Sequence, residues 1–143
     1  MSIAAIDLGR KRIGLALTDT REEIAYPLAT LVRGATISDL EAIAARLDGC
    51  EVRLLVIGLP LSMDGSEGPP ARAARAFGER LGKSMALPVE FFDERLTSVE
   101  AEERLRGAPG SSKRRRAALD AVAATIILEG WMDANRNRLG PSV

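Results

Sequence analysis

The sequence predicts an α/β domain with a five-stranded mixed sheet, three strands antiparallel and then two parallel, and helices on both faces. Near the N-terminus, three hydrophobic segments follow one another through short polar turns, which predicts antiparallel neighbours. Further along, hydrophobic segments alternate with helical patterns, which is typical of parallel strands covered by helices. A chain of 143 residues has room for one core and is too short for two lobes.

The first half of the chain supplies four strands and one helix. Three strands are predicted over residues 3–7, 13–18 and about 24–32. A helix is then predicted from Ser38, which forms a capping box with Glu41, and it ends at Gly49. The segment 52–57 is a nearly continuous run of leucine and β-branched residues, which predicts a central or near-central strand that is buried on both faces and parallel to its successor.

The second half begins with a loop, a helix and the fifth strand. Residues 58–68 are rich in turn-forming residues and predict a loop. Pro69 and Pro70 are well suited to begin a helix. Residues 89–93 predict the fifth strand, which ends in acidic residues as the first one does.

Two helices complete the predicted domain. Thr97 caps a short helix that ends at Gly107. A last helix covers about 113–132, with apolar residues at helical spacing. We therefore expect one domain over 1–134 and a C-terminal tail over 135–143.

The composition restricts the chemistry and the location of the protein. Histidine is absent, which excludes Ser-His-Asp and Cys-His catalysis and leaves too few nitrogen and sulfur ligands for an ordinary zinc site. Cys50 is the single cysteine and fits a reducing compartment. The chain starts directly with a strand, and no apolar run approaches the roughly 20 residues that cross a bilayer. We expect a cytoplasmic protein without a membrane partner.

Acidic residues stand at the ends of predicted elements. Asp7 ends the first strand, Asp93 and Glu94 end the fifth, and Asp120 borders the apolar stripe of the last helix. Carboxylates without histidine suit Mg²⁺ or Mn²⁺, and a pair of such ions can activate water and stabilise the leaving oxygen of a phosphodiester. The alternative interpretation is that Asp93 and Glu94 form a surface ion pair with Arg95. Asp120 would then be a solvated helix residue.

Two cationic clusters predict an anionic partner although the net charge is zero. One begins at Arg10, three residues after Asp7. The other fills the first turn of the last helix, where it opposes the helix dipole. A nucleic acid backbone would remove that conflict, whereas a solvated surface is the alternative. The cations predicted to contact it are Arg10, Lys11, Arg12, Arg95, Lys113, Arg114 and Arg115.

Several motifs span nearly the whole chain in a recognisable order. They are IDLGRKRIGLA at 6–16, VIGLPL at 56–61, MDGSEG at 63–68, DERLT at 93–97, the basic pair at 113–114 and Asp120. On these residues the sequence resembles the YqgF family, also called the RuvX family, of Holliday junction resolvases and pre-16S rRNA nucleases. That resemblance implies a ribonuclease H-like fold.

The resemblance also implies roles for the acidic residues. Asp7 would be the catalytic carboxylate of the first strand, Asp93 or Glu94 the second and Asp120 that of the last helix. The chain departs from related resolvases at Gly58, where the central strand ends without an acid. Since neighbouring strand residues point to opposite faces, one of Asp93 and Glu94 should be a metal ligand. We favour Asp93 if the strand is regular and Glu94 if it bulges.

Three functions remain in competition at this point. The leading hypothesis is a metal-dependent phosphodiesterase that acts on RNA and matures the 5′ end of small-subunit rRNA, with branched DNA as the second substrate. A sugar-kinase-like protein shares the Asp-Leu-Gly hairpin, but its paired domains need far more than 143 residues. A non-catalytic nucleic-acid-binding module is the third, and the acidic residues argue against it.

Overall fold

The computed structural model describes residues 1–95 and 112–135, and for 112–120 it describes the backbone alone. Five strands form one sheet in the order β3-β2-β1-β4-β5. The strands are β1 (Ser2–Leu8), β2 (Arg12–Thr18), β3 (Ala25–Val32), β4 (Val52–Leu59) and β5 (Val89–Asp93). The helices in the described part are α1 (Thr36–Leu47), α2 (Pro69–Met85) and α3 (Ser112–Ala134).

The pairing of the strands confirms the predicted mixed sheet. β2 is antiparallel to both β1 and β3, whereas β4 is parallel to β1 and to β5. β4 therefore lies between two parallel neighbours, as its uninterrupted apolar sequence predicts. Its inner residues from Leu54 to Ile57 are all buried.

Side-chain alternation divides the core into two layers, one on each face of the sheet. One face carries Ile6, Leu15 and Ile57 and packs with buried residues of α1 and α2. The other face packs against α3, and its buried cluster contains Ile3, Ala5, Ala16, Leu54, Val56, Ala124, Ile127, Leu128 and Trp131. Helices thus cover both faces, which confirms the predicted fold class.

The structure corrects two predicted boundaries. α1 begins at Thr36, and its N-cap, Ala35, makes no side-chain capping hydrogen bond, so the capping box predicted at Ser38 is wrong. Instead the amide of Gly34, just before the helix, donates to Oδ1 of the buried Asp39 at 2.9 Å. β4 runs past the predicted end to Leu59, because it remains paired with β5 as far as Asp93.

The last helix runs slightly beyond its predicted C-terminal end, and part of the predicted structure is not described. α3 extends to Ala134, and Asn135, assigned to the tail, is buried with its side-chain amide donating to the Trp131 carbonyl at 2.8 Å. The short helix predicted from Thr97 lies outside the described residues. None of the described helices combines the length and apolar character that crossing a membrane requires.

Candidate active site

The ends of β1 and β5 bring two carboxyl groups into contact. Asp7 follows Ile3 and Ala5 at two-residue spacing, so it lies on the face of the sheet that α3 covers. Glu94 follows Phe92 by the same spacing and lies on that face too. The side chains of Asp7 and Glu94 are hydrogen-bonded to each other. They meet across β4, which separates their strands.

Gly58 of β4 provides the room for this contact. A Cβ atom at position 58 would lie 2.8 Å from both Cγ and Cδ of Glu94 and 2.7 Å from Cδ1 of Ile127. The backbone of Glu94 is also fixed, since its amide donates to the Leu59 carbonyl at 3.0 Å and extends the β4–β5 ladder beyond β5. Where β4 lacks an acid, a glycine thus admits the carboxyl group of the neighbouring strand.

The surroundings of Glu94 favour its neutral form. Burial, then the hydrogen bond to Asp7, then the charges of Asp7 and Asp93 raise the pKa of the Glu94 carboxyl to about 9. Two carboxyl groups in contact resist ionising together. Without a cation, the pair therefore holds a proton at neutral pH. Partly buried carboxyl oxygens that share a proton are a suitable place for a hard divalent cation, which would displace that proton.

Asp93 has a different environment from Glu94. Arg95 binds its carboxylate, with Nε 2.8 Å and Nη2 2.6 Å from Oδ2 and the backbone amide 2.9 Å from Oδ1. These hydrogen bonds hold the pKa of Asp93 below its ordinary value. Arg95 also donates from Nη1 to the Met63 carbonyl at 3.4 Å. The structure therefore brings Glu94, and not the favoured Asp93, to Asp7, although β5 is regular.

The third predicted carboxylate lies at the edge of the described part. Asp120 belongs to α3, one turn before Ala124, which packs on the sheet. Its side chain lies outside the description, as do those of Lys113, Arg114 and Arg115. Among the side chains that are described, no three acidic, cysteine or histidine residues come together as a metal site.

The first cationic cluster forms the turn between β1 and β2. The turn is closed by a hydrogen bond from the Gly9 amide to the Arg12 carbonyl at 2.9 Å. A Cβ atom at Gly9 would lie 2.7 Å from that carbonyl oxygen, so the close approach requires glycine. Arg10 and Lys11 are exposed and Arg12 is half-buried. Two accessible cations thus lie a few residues beyond Asp7.

Comparison with known proteins defines the family of this chain. A model of the RuvX family, described as Holliday junction resolvase, matches residues 1–134. The chain belongs to the RuvX family. A relative from Anaeromyxobacter sp. (strain K) is 50% identical over 133 residues, covering 93% of this chain and 97% of the relative. One from Crocosphaera subtropica is 43% identical over 139 residues, 97% of each chain. Both are provisionally named pre-16S rRNA nuclease.

Solved structures share the fold of this RuvX-family chain. RuvC from T. thermophilus, determined with a Holliday junction substrate, superposes with a TM-score of 0.59 and 16% identity over 93% of this chain and 96% of RuvC. The Holliday junction resolvase of fowlpox virus superposes with a TM-score of 0.57 and 11% identity, over 94% of this chain and 99% of the viral protein. At such identities the likeness concerns the fold, and it confirms the predicted ribonuclease H-like architecture.

The Asp7–Glu94 pair predicts an unusual dependence of stability on pH. The pKa of Glu94 rises from an ordinary value of 4.5 to about 9 on folding. Between these values the folded chain holds a proton that the unfolded chain has lost. The free energy of unfolding of the metal-free protein should therefore fall as pH rises, by at most about 1.4 kcal/mol per unit.

Urea unfolding in EDTA, repeated across this pH window, measures the effect. Glu94→Gln should remove most of the slope, because glutamine holds no titrating proton. Glu79→Gln changes an exposed residue of α2 and should retain the slope of the wild type. Equal slopes in the wild type and Glu94→Gln would show that the pair holds no proton at neutral pH.

Proposed function

We propose that this RuvX-family nuclease hydrolyses a phosphodiester bond of pre-16S rRNA and that Asp7 and Glu94 are two of its metal ligands. The observation that carries the proposal is the contact between these carboxyl groups at one edge of the sheet, over Gly58. The ribosomal substrate is supported by the names of relatives that match over nearly their whole length.

The proposed metal ligands come from rigid elements. Asp7 is paired with Gly14 in the β1–β2 ladder, and the Glu94 amide bonds to Leu59. Asp120 is the proposed third ligand, because a position one helical turn before Ala124 shares its face of α3. Bound by these carboxylates, Mg²⁺ or Mn²⁺ would supply charge stabilisation at the phosphoryl group and a lowered pKa for water.

The remaining proposed roles concern the substrate backbone. The cations of the β1–β2 turn, Arg10 and Lys11, are exposed beside Asp7 and would hold phosphates near the carboxyl pair. Lys113, Arg114 and Arg115 are proposed as a second contact, since they precede Asp120 on the same helix. Arg95 binds the Asp93 carboxylate, so we do not propose it as a contact to the substrate.

Branched DNA is the second candidate substrate, because the family is described as Holliday junction resolvase. To separate the candidates, the purified protein would be incubated with matched pre-16S rRNA, single-stranded RNA and four-way DNA junctions, in Mg²⁺, Mn²⁺ or EDTA. Asp7→Asn protein, purified in parallel, controls for contaminating nuclease.

We expect cleavage of the rRNA precursor that requires the metal and is absent from the Asp7→Asn preparation. Preferential cleavage of the junction would replace the RNA proposal with the second candidate. Binding without cleavage in any metal would identify a non-catalytic module, and equal cleavage in EDTA would refute the role of the metal.

A further inference from the structure

Arg33, directly after β3, connects the cationic turn to the start of α1. Its Nη1 donates to the Gly9 carbonyl at 2.9 Å, and its backbone amide donates to the Lys11 carbonyl, also at 2.9 Å. Its Nε lies 3.9 Å from Oδ2 of Asp39. One residue thus contacts both sides of the β1–β2 turn and an acidic residue of a helix.

The buried Asp39 lies beside the Arg33 guanidinium. The residue is 4% exposed, which is rare for an aspartate. Its Oδ1 accepts the Gly34 amide at 2.9 Å, and its Oδ2 faces the Arg33 guanidinium. A buried carboxylate is costly without a nearby cation, so removing the Arg33 guanidinium would leave Asp39 poorly compensated.

Hydrogen bonds fix the backbone of the turn, while two of its charged side chains are exposed. The carbonyl groups of Gly9, Lys11 and Arg12 all accept hydrogen bonds, two of them from Arg33. The side chains of Arg10 and Lys11 are exposed. Cations on a backbone that is already ordered bind an anion with a smaller loss of conformational entropy.

We propose that Arg33 is a positioning residue, which orders the β1–β2 turn so that Arg10 and Lys11 bind phosphates of the nucleic acid beside the carboxyl pair. This inference rests on the proposed function for the identity of the partner. The role of Arg33 requires that the protein binds nucleic acid, but not that it hydrolyses it. Arg33 itself acts through the turn and does not contact the substrate.

The first test compares Arg33→Lys with Arg33→Ala. Binding of a short labelled single-stranded RNA would be measured by fluorescence anisotropy in EDTA across a series of KCl concentrations, with urea unfolding of each variant. Lysine keeps the charge but not the planar guanidinium geometry. We expect affinity to fall about threefold to tenfold, the ordering cost of one or two side chains, with an unchanged salt slope. Arg33→Ala should also keep the slope.

Arg46→Ala is the matched control, because it removes one exposed positive charge near the other end of α1. It should leave both affinity and slope unchanged. If Arg33→Ala flattens the plot of log affinity against log salt by about 0.7, Arg33 itself contacts a phosphate and the proposal is wrong.

A double-mutant cycle separates positioning from a general loss of stability. In an Arg10→Ala/Lys11→Ala background, Arg33→Lys should cause no further loss of RNA affinity, because the cations that it positions are gone. An additive loss would overturn the inference.

The same binding assay distinguishes this inference from the proposed function. Wild-type protein that binds RNA through Arg10 and Lys11 but does not cleave it refutes the nuclease proposal and leaves the role of Arg33 intact. Wild-type protein that fails to bind RNA in EDTA overturns the role of Arg33, whatever its hydrolytic activity.

Discussion

Glu94→Gln is expected to lower the rate of hydrolysis more than about a hundredfold, since changes even to groups that only support metal ligands cost 10-fold to 100-fold. Glutamine keeps the volume of the side chain but removes the ligand charge. Asp7→Asn should have an effect of similar size, because Asp7 is the hydrogen-bonded partner of Glu94. Asp93→Asn should retain most of the activity, since the Asp93 carboxylate is engaged by Arg95.

Initial rates on the preferred substrate and Mn²⁺ affinity by isothermal titration would be measured for all three variants. Asp93→Asn is a matched control, because it lies next to Glu94 and makes the same kind of chemical change. A loss of rate and of Mn²⁺ affinity as large in Asp93→Asn as in Glu94→Gln would restore Asp93 as the ligand. Wild-type rates in Asp7→Asn would remove the carboxyl pair from the site.

Gly58→Ala should damage both stability and activity. The added methyl group would lie within 2.8 Å of side-chain atoms of Glu94 and of Ile127, so both side chains must shift. Overpacking of this kind destabilises a protein by about 1–3 kcal/mol. Because the displaced group is a proposed metal ligand, we expect hydrolysis to fall at least about tenfold, as it does when support for a ligand is lost.

Gly78→Ala provides the control for packing. A Cβ atom at Gly78 would lie 2.8 Å from Cγ1 of Ile57 and 2.9 Å from Cε1 of Phe91, on the opposite face of the sheet. It should destabilise the fold comparably under urea while the folded protein keeps its activity. If the two variants lose hydrolysis equally at temperatures where both are folded, Gly58 serves packing and does not position Glu94.

Most of the sheet could be predicted because the composition of a strand indicates how deeply it is buried and which kinds of element surround it. The apolar run in β4 predicts a strand that is covered on both faces. The helical patterns before and after it predict that it is parallel to its neighbours. The start of α1 could not be predicted in the same way. The pattern at Ser38 and Glu41 is local. In the structure Asp39 contacts Gly34 and Arg33, and Arg33 is in turn bonded to the distant β1–β2 turn.

The sequence predicts the candidate carboxylates, but it does not show which of Asp93 and Glu94 lies against Asp7. Phe91 and Phe92 are both apolar, so alternation along β5 does not show which face α3 covers. The structure resolves this, because Phe92 packs in the layer that contains Ile3. From the sequence, Gly58 stands out only as a position that lacks an acid. In the structure, it leaves the space that the Glu94 side chain occupies.

The position of β4 between β1 and β5 also has a consequence for biosynthesis. Asp7 leaves the ribosome early, but Glu94 can contact it only after β4 has inserted beside β1 and Glu94 has bonded to Leu59. An incomplete nascent polypeptide therefore carries half of the carboxyl pair. If rRNA is the substrate, a nascent chain can present the assembled pair to its own ribosome only after all five strands and Glu94 have been synthesised.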